Sequence, residues 1–181
     1  MPERDDENQV AATDAEDAGV LTSLQNAEQG FCGSAPLQES LQRVLVDLVE
    51  LALQGKQTHW NLVGPNFRDL HLQLDEIVLA ARTFADVVAE RMRSLHLLPD
   101  ARTRTIASTS TLPALAAGEL LTTEAVDAVT ERLDRVAATA REVHDQVDEE
   151  DPTSADILHD ILSRIEQLSW MVSAQNRRPG A

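Results

Sequence analysis

A chain of 181 residues, 43% of them hydrophobic, is long enough for one domain with a substantial core. A net charge of −16, with Lys56 the single lysine, disfavours general electrostatic binding to nucleic acid or to an anionic membrane. The one cysteine, Cys32, excludes an intrachain disulfide framework and a zinc site of several thiolates, and no apolar run reaches the length of a membrane-spanning helix.

Residues 1–33 are acidic and polar. Glu3, Asp5, Asp6, Glu7, Asp14, Glu16, Asp17 and Glu28 face one base, Arg4. Such a segment cannot bury enough apolar surface to fold alone, so a flexible tail is expected. Val20, Leu21 and Leu24 are its candidates for docking onto the body. The start, MPERDDENQV, lacks the basic-then-apolar layout of a signal peptide, and a soluble cytoplasmic protein is the expectation.

Residues 34–176 read as one helical domain, followed by a short tail, 177–181. Ser34 and Pro36 open a first helix. Leu37, Leu41, Val44, Leu45, Leu48, Leu51 and Ala52 give it a stripe at helical spacing, and Gly64-Pro65 stops it. A second helix runs from Asn66 or Phe67 to His96, with Leu70, Leu74, Ile77, Ala81, Phe84, Val88, Met92 and Leu95 on its core face. Residues 99–121 form a long crossover rich in Thr, Ser and Ala, with a short helix expected over 112–117. A third helix covers about 123–148. Asp151 and Pro152 then begin a fourth, whose stripe is Ile157, Leu158, Ile161, Leu162, Ile165, Leu168 and Val172. Tyrosine is absent and β-branched residues fall at helical spacing, so no strand is expected. The fold class is all-α: a four-helix bundle with a short extra helix in the crossover.

Two histidines and three carboxylates interrupt this apolar pattern: His59, His71, Asp75, Asp86 and Glu90. On a helical wheel with His71 at zero, Asp75 falls at about 40°, Asp86 at about 60° and Glu90 at about 100°. The core stripe lies between about 220° and 340°. The candidate ligands therefore share a face that is not the core face. Glu-x-x-His, the pair that projects metal ligands into the centre of many such bundles, is absent from the chain.

His59 and His71 flank the Gly64-Pro65 turn and come level in a helical hairpin, with Asp75 one turn beyond. Asp86 and Glu90 form another half-set, about 22 Å further along the second helix. One chain cannot join them. A second copy of that helix, antiparallel across a two-fold axis near residues 79–82, does so and creates two equivalent sites. Leu72 and Leu79 lie among the ligands, as a subunit-covered face requires. Imidazoles with carboxylates suit Fe²⁺, Mn²⁺ or Zn²⁺. Histidines capping a hairpin beside a solvated acidic face are the plainer reading of the same residues taken singly.

The stretch K-Q-T-H-W-N-L-V-G-P-N-F-R-D-L-H, followed by the D-x-x-x-E of Asp86 and Glu90, resembles the Dps family, the DNA-binding proteins from starved cells or mini-ferritins. Helix-four segments DPTSADILHDIL and SWMVSAQ echo the family more weakly, and the similarity covers residues 37–175. The resemblance implies a ferritin-like fold and a hollow homododecamer. It implies ferroxidase sites in which His59, His71 and Asp75 come from one chain and Asp86 and Glu90 from its neighbour. Iron would be oxidised from Fe²⁺, with hydrogen peroxide preferred and oxygen also used, and stored as ferric mineral. Trp60 would stand near the site to intercept radicals, or pack at the dimer interface. Asp151, Asp156 and Asp160 would line three-fold pores that admit cations, although acids at a helix start also serve capping and the helix dipole. His144 and His159 have no motif and read as surface or structural residues.

DNA is where the chain departs from that pattern. Its N-terminal segment is acidic and lysine-free, and Arg177 and Arg178 are the only charges of the C-terminal tail. Weak or absent DNA binding is expected. A structural nucleoid protein with little ferroxidase activity is the alternative.

Overall fold

The computed structural model describes residues 30–180. Most of the acidic segment, with Val20, Leu21 and Leu24, lies outside the described residues. From Gly33 onward the chain forms one compact unit.

Helix α1 spans Ala35–Asn61. Ser34 caps it, its hydroxyl accepting from the Leu37 N–H at 3.2 Å, and Pro36 sits in the first turn where no N–H is needed. The helix ends before Gly64 because Leu62–Val63 leave it to form a short strand, β1. Gly64 turns the chain at φ 116°, a left-handed conformation that favours glycine. Helix α2 follows, Phe67–Ser94. Gly55 lies where α1 and α2 approach closely: a Cβ there would sit 3.0 Å from the Val78 side chain, which would have to give by a few tenths of an ångström.

The crossover differs from expectation in two ways. Its helix, α3, is Thr103–Thr109 rather than 112–117. Residues 113 and 114 stay outside any helix, and their carbonyls accept from the buried Arg132 guanidinium at 3.1 and 2.9 Å. The Thr-rich α3 has weak intrinsic propensity. It is held instead by burial of Ile106 and by Asp100, which accepts from the Arg102 N–H and the Thr105 hydroxyl. Second, a strand does exist: β2, Leu120–Leu121, pairs parallel with β1 in the register Leu62–Leu120 and Val63–Leu121. A two-residue ladder has no periodicity to read.

Helix α4, Thr122–Glu150, and helix α5, Pro152–Ser173, complete the bundle. Contacts run antiparallel between α1 and α4: Ser40 with Gln146, Arg43 with Glu142, Asp47 with Thr139, Gln54 with Arg132. They run antiparallel between α2 and α5 too, from Gln73–Gln175 to Arg91–Asp151. The four apolar faces meet in one core that includes Leu37, Leu48, Leu74, Ile77, Leu133 and Ile161. Asp47 is fully buried inside it and accepts from the Ser110, Thr111 and Thr139 hydroxyls and the Thr111 N–H, fastening the crossover to α1 and α4.

Asp151 is the residue between α4 and α5. It occupies the cap position of α5, but its carboxylate makes no capping bond. It accepts from Arg91 of α2 at 2.7 Å through both oxygens, and from the Ser154 hydroxyl. Burial pushes this carboxyl up, the hydrogen bonds from Arg91 and Ser154 outweigh it, and the pKa lies below the ordinary value. A carboxylate lowered in this way contributes stability above its unfolded pKa of about 3.9 and loses it as pH falls through the folded value. Wild-type thermal stability should therefore decline on acidification below about pH 4. Arg91→Met should be less stable near neutrality by roughly 3 kcal/mol, because the carboxylate is left buried without its partner. The gap between the two proteins should narrow as that carboxylate is protonated. Melting curves followed by circular dichroism at pH 7 and pH 4 check this; a gap that widens on acidification would refute the assignment.

Candidate metal centre

The hairpin turn places His59, at the end of α1, against His71, in the second turn of α2. Their rings stack with centroids 3.6 Å apart. Each ring holds the other's backbone: His59 Nδ1 is 3.0 Å from the His71 carbonyl oxygen, and His71 Nδ1 is 3.1 Å from that of His59. A carbonyl only accepts, so both Nδ1 atoms carry the proton and both Nε2 atoms carry the lone pair, that of His59 accepting from the Lys56 ammonium. This is the arrangement by which a backbone carbonyl fixes the tautomer and orientation of a metal-binding histidine. Phe67 stacks on the far side of His71 at 5.0 Å. His59 is buried and His71 half-buried.

Asp75, exposed one turn along α2, joins them, with its Oδ1 3.3 Å from His59 Nδ1. The Lys56 ammonium lies 2.5 Å from that same oxygen and 3.2 Å from His59 Nε2. The hydrogen bond from Lys56 holds the Asp75 carboxyl below its usual pKa. Two of the expected donors thus already attract a positive charge at one point, which is what a cation site requires. Lys56 and Phe67 were not singled out from sequence. The available signal was that the chain's single lysine stands one helical turn before His59.

Asp86 and Glu90 are exposed on α2, one turn apart. Because α2 is continuous from Phe67 to Ser94, the rise of about 1.5 Å per residue keeps Asp86 about 22 Å from His71. Among the described residues no group of three or more His, Cys, Asp or Glu side chains gathers to hold a metal. Between the two half-sets the same face exposes Leu72 and Leu79, the latter 67% exposed. Beside it an open groove of about 600 Å³ is lined by Leu72, Glu76, Trp170 and Met171 among others. Trp170 is 62% exposed, and Trp60 beside the centre is 67% exposed.

The three pore candidates part company. Asp156 and Asp160 are exposed on α5. Asp151 is buried, and its oxygens are committed to Arg91 and Ser154 within the chain. Within the chain it forms a buried ion pair.

A model of the ferritin-like domain matches residues 38–178. Fold and match together define the class, a ferritin-like helical bundle. DNA protection during starvation protein 2 of Deinococcus radiodurans is 33% identical over 136 residues, 75% of this chain and 56% of its own length, so the present chain spans about half of that relative. The DNA protection during starvation protein of Agrobacterium fabrum is 33% identical over 135 residues, 74% of this chain and 83% of its own length. The structure of Dps from Microbacterium arborescens in the high iron form superposes with a TM-score of 0.74 at 29% identity, over 81% of this chain and 98% of the other. The chain belongs to the Dps family of ferritin-like proteins.

Proposed function

We propose that the protein oxidises Fe²⁺ at sites completed by two subunits and stores the ferric product in a hollow homododecamer. The observation that carries this reading is the reciprocal locking of His59 and His71, with Asp75 beside them and a cation, the Lys56 ammonium, already held between His59 Nε2 and Asp75. The M. arborescens relative in its high iron form supports iron as the substrate. Asp86 and Glu90 of a neighbouring subunit complete the set, brought there by a two-fold contact across Leu72 and Leu79. Carboxylates favour the ferric product through its higher charge. A small ligand set leaves positions for the oxidant, hydrogen peroxide before oxygen. Oxidising Fe²⁺ while consuming peroxide protects the cell against oxidative stress. Trp60 stands beside His59, where it intercepts stray radicals or packs at the interface. Asp156 and Asp160 draw cations towards the pores. No described helix is long and apolar enough to cross a membrane, and the cytoplasm is the proposed location.

The test is anaerobic protein given Fe²⁺ and then peroxide, followed optically as ferric product forms, with particle size measured by light scattering. Oxidation no faster than in buffer, or a monomer, overturns the reading. The net charge of −16 argues that the assembly binds DNA weakly or not at all. A mobility shift of DNA at ~150 mM salt, the physiological range, that is lost on removing Arg177 and Arg178 would reverse that. Such a shift without ferroxidase activity would identify a structural nucleoid protein instead.

A further inference from the structure

We propose that His144 of α4 and His159 of α5 form a second, independent site for a divalent metal that prefers imidazole, of the cobalt-to-zinc series. Nothing in the spacing of these residues points to a site, since they belong to different helices. The α4–α5 hairpin brings them together with Nε2 atoms 2.7 Å apart and ring centroids 4.7 Å apart.

The opposite side of each ring faces a carboxylate. His144 Nδ1 is 3.0 Å from Asp145 Oδ1, a hydrogen bond that places the proton on Nδ1 and leaves the lone pair on Nε2. His159 Nδ1 is 3.6 Å from Asp156 Oδ1, within ion-pair range. When both Nδ1 atoms are protonated, two Nε2 lone pairs face each other, and only a positive centre between them makes that arrangement stable. Carboxylate behind imidazole is also the orienting partner that raises the basicity of metal-binding histidines.

Metal–nitrogen bonds of about 2.0–2.1 Å at a tetrahedral angle separate the two nitrogens by about 3.3 Å. The pair therefore needs to open by only some tenths of an ångström. His159 is more than half exposed, so solvent leaves space for that small opening. The recess, about 210 Å³, is lined by Arg141, His144, Asp145, His159 and Leu162 and has room for water in the remaining coordination positions. Arg141 is the opposing charge, and its guanidinium is bonded to Glu166 across the hairpin. Two imidazoles with water suit the late first-row ions better than Mg²⁺ or Ca²⁺.

The experiment uses full-length protein carrying His59→Ala and His71→Ala, so that the first centre is removed and no iron chemistry is involved. Zn²⁺ is titrated by calorimetry, and Co²⁺ by the visible absorption that reports its coordination. One metal per subunit should bind, with affinity at least tenfold weaker after adding His144→Ala or His159→Ala. Asp145→Asn should weaken binding and leave the stoichiometry intact. Circular dichroism confirms that each variant is folded; His159 is exposed and His144 half-buried, so His159→Ala is the variant that should leave folding unaffected. Isotherms that are the same with and without His144 and His159 would overturn the proposal and leave the pair as a hydrogen bond between two neutral rings.

Discussion

Protein carrying His59→Ala together with His71→Ala should oxidise Fe²⁺ at least two orders of magnitude more slowly than wild type, roughly the loss expected when ligands themselves, and not merely their orienting partners, are removed. The reason is geometric. Each ring fixes the other through a carbonyl, so both rings are already oriented, and only the Lys56 ammonium has to leave His59 Nε2. Removing both deletes every neutral ligand and leaves Asp75 bonded to Lys56. The fold should survive at a cost of roughly 2 kcal/mol, about one for each lost hydrogen bond. Stopped-flow absorbance after peroxide addition gives the rate, and a circular-dichroism melt gives the stability. If the double variant is poorly folded, His71→Ala alone suffices, since His71 is the more exposed partner. Fast oxidation persisting in a folded variant would remove these histidines from the centre.

Leu72→Glu with Leu79→Glu should abolish both assembly and oxidation while every metal ligand remains. Both leucines are exposed in the chain, so as surface substitutions they should alter its own stability by only about 0.5 kcal/mol. Across a two-fold contact each new carboxylate is buried twice, once from each subunit, and the one at position 79, near the axis, meets its own copy. Loss of roughly 4 kcal/mol of association, about a thousandfold, follows from burying unpaired charge there. Light scattering should show small particles, and the fast phase of Fe²⁺ oxidation should vanish with them. Small particles that still oxidise Fe²⁺ rapidly would mean that Asp86 and Glu90 are not supplied by a neighbour.

The four long helices were legible because each carries an apolar stripe at the helical period and a stop or cap at its ends, Ser34 and Pro36 being the plainest case. The pairing of His59 with His71 was legible too, because a turn at Gly64-Pro65 leaves little choice of register. The crossover was not. A run of Thr, Ser and Ala has no periodicity strong enough to place a helix, and the backbone there follows two buried groups, Asp47 and Arg132, whose partners are distant in sequence.

What the sequence determined by itself is the helical bundle, the hairpin, and the placing of the candidate ligands on a non-core face of α2, since these follow from local periodicity and from the fixed rise of a helix. Tertiary structure alone decided which polar groups meet across helices. It bonded Asp151, which the sequence reads as a helix cap, to Arg91, put Lys56 between His59 and Asp75, and joined His144 to His159. Such contacts depend on the rotation and offset of whole helices against one another. Burial of the shared core sets those quantities, and no single stretch of sequence encodes them.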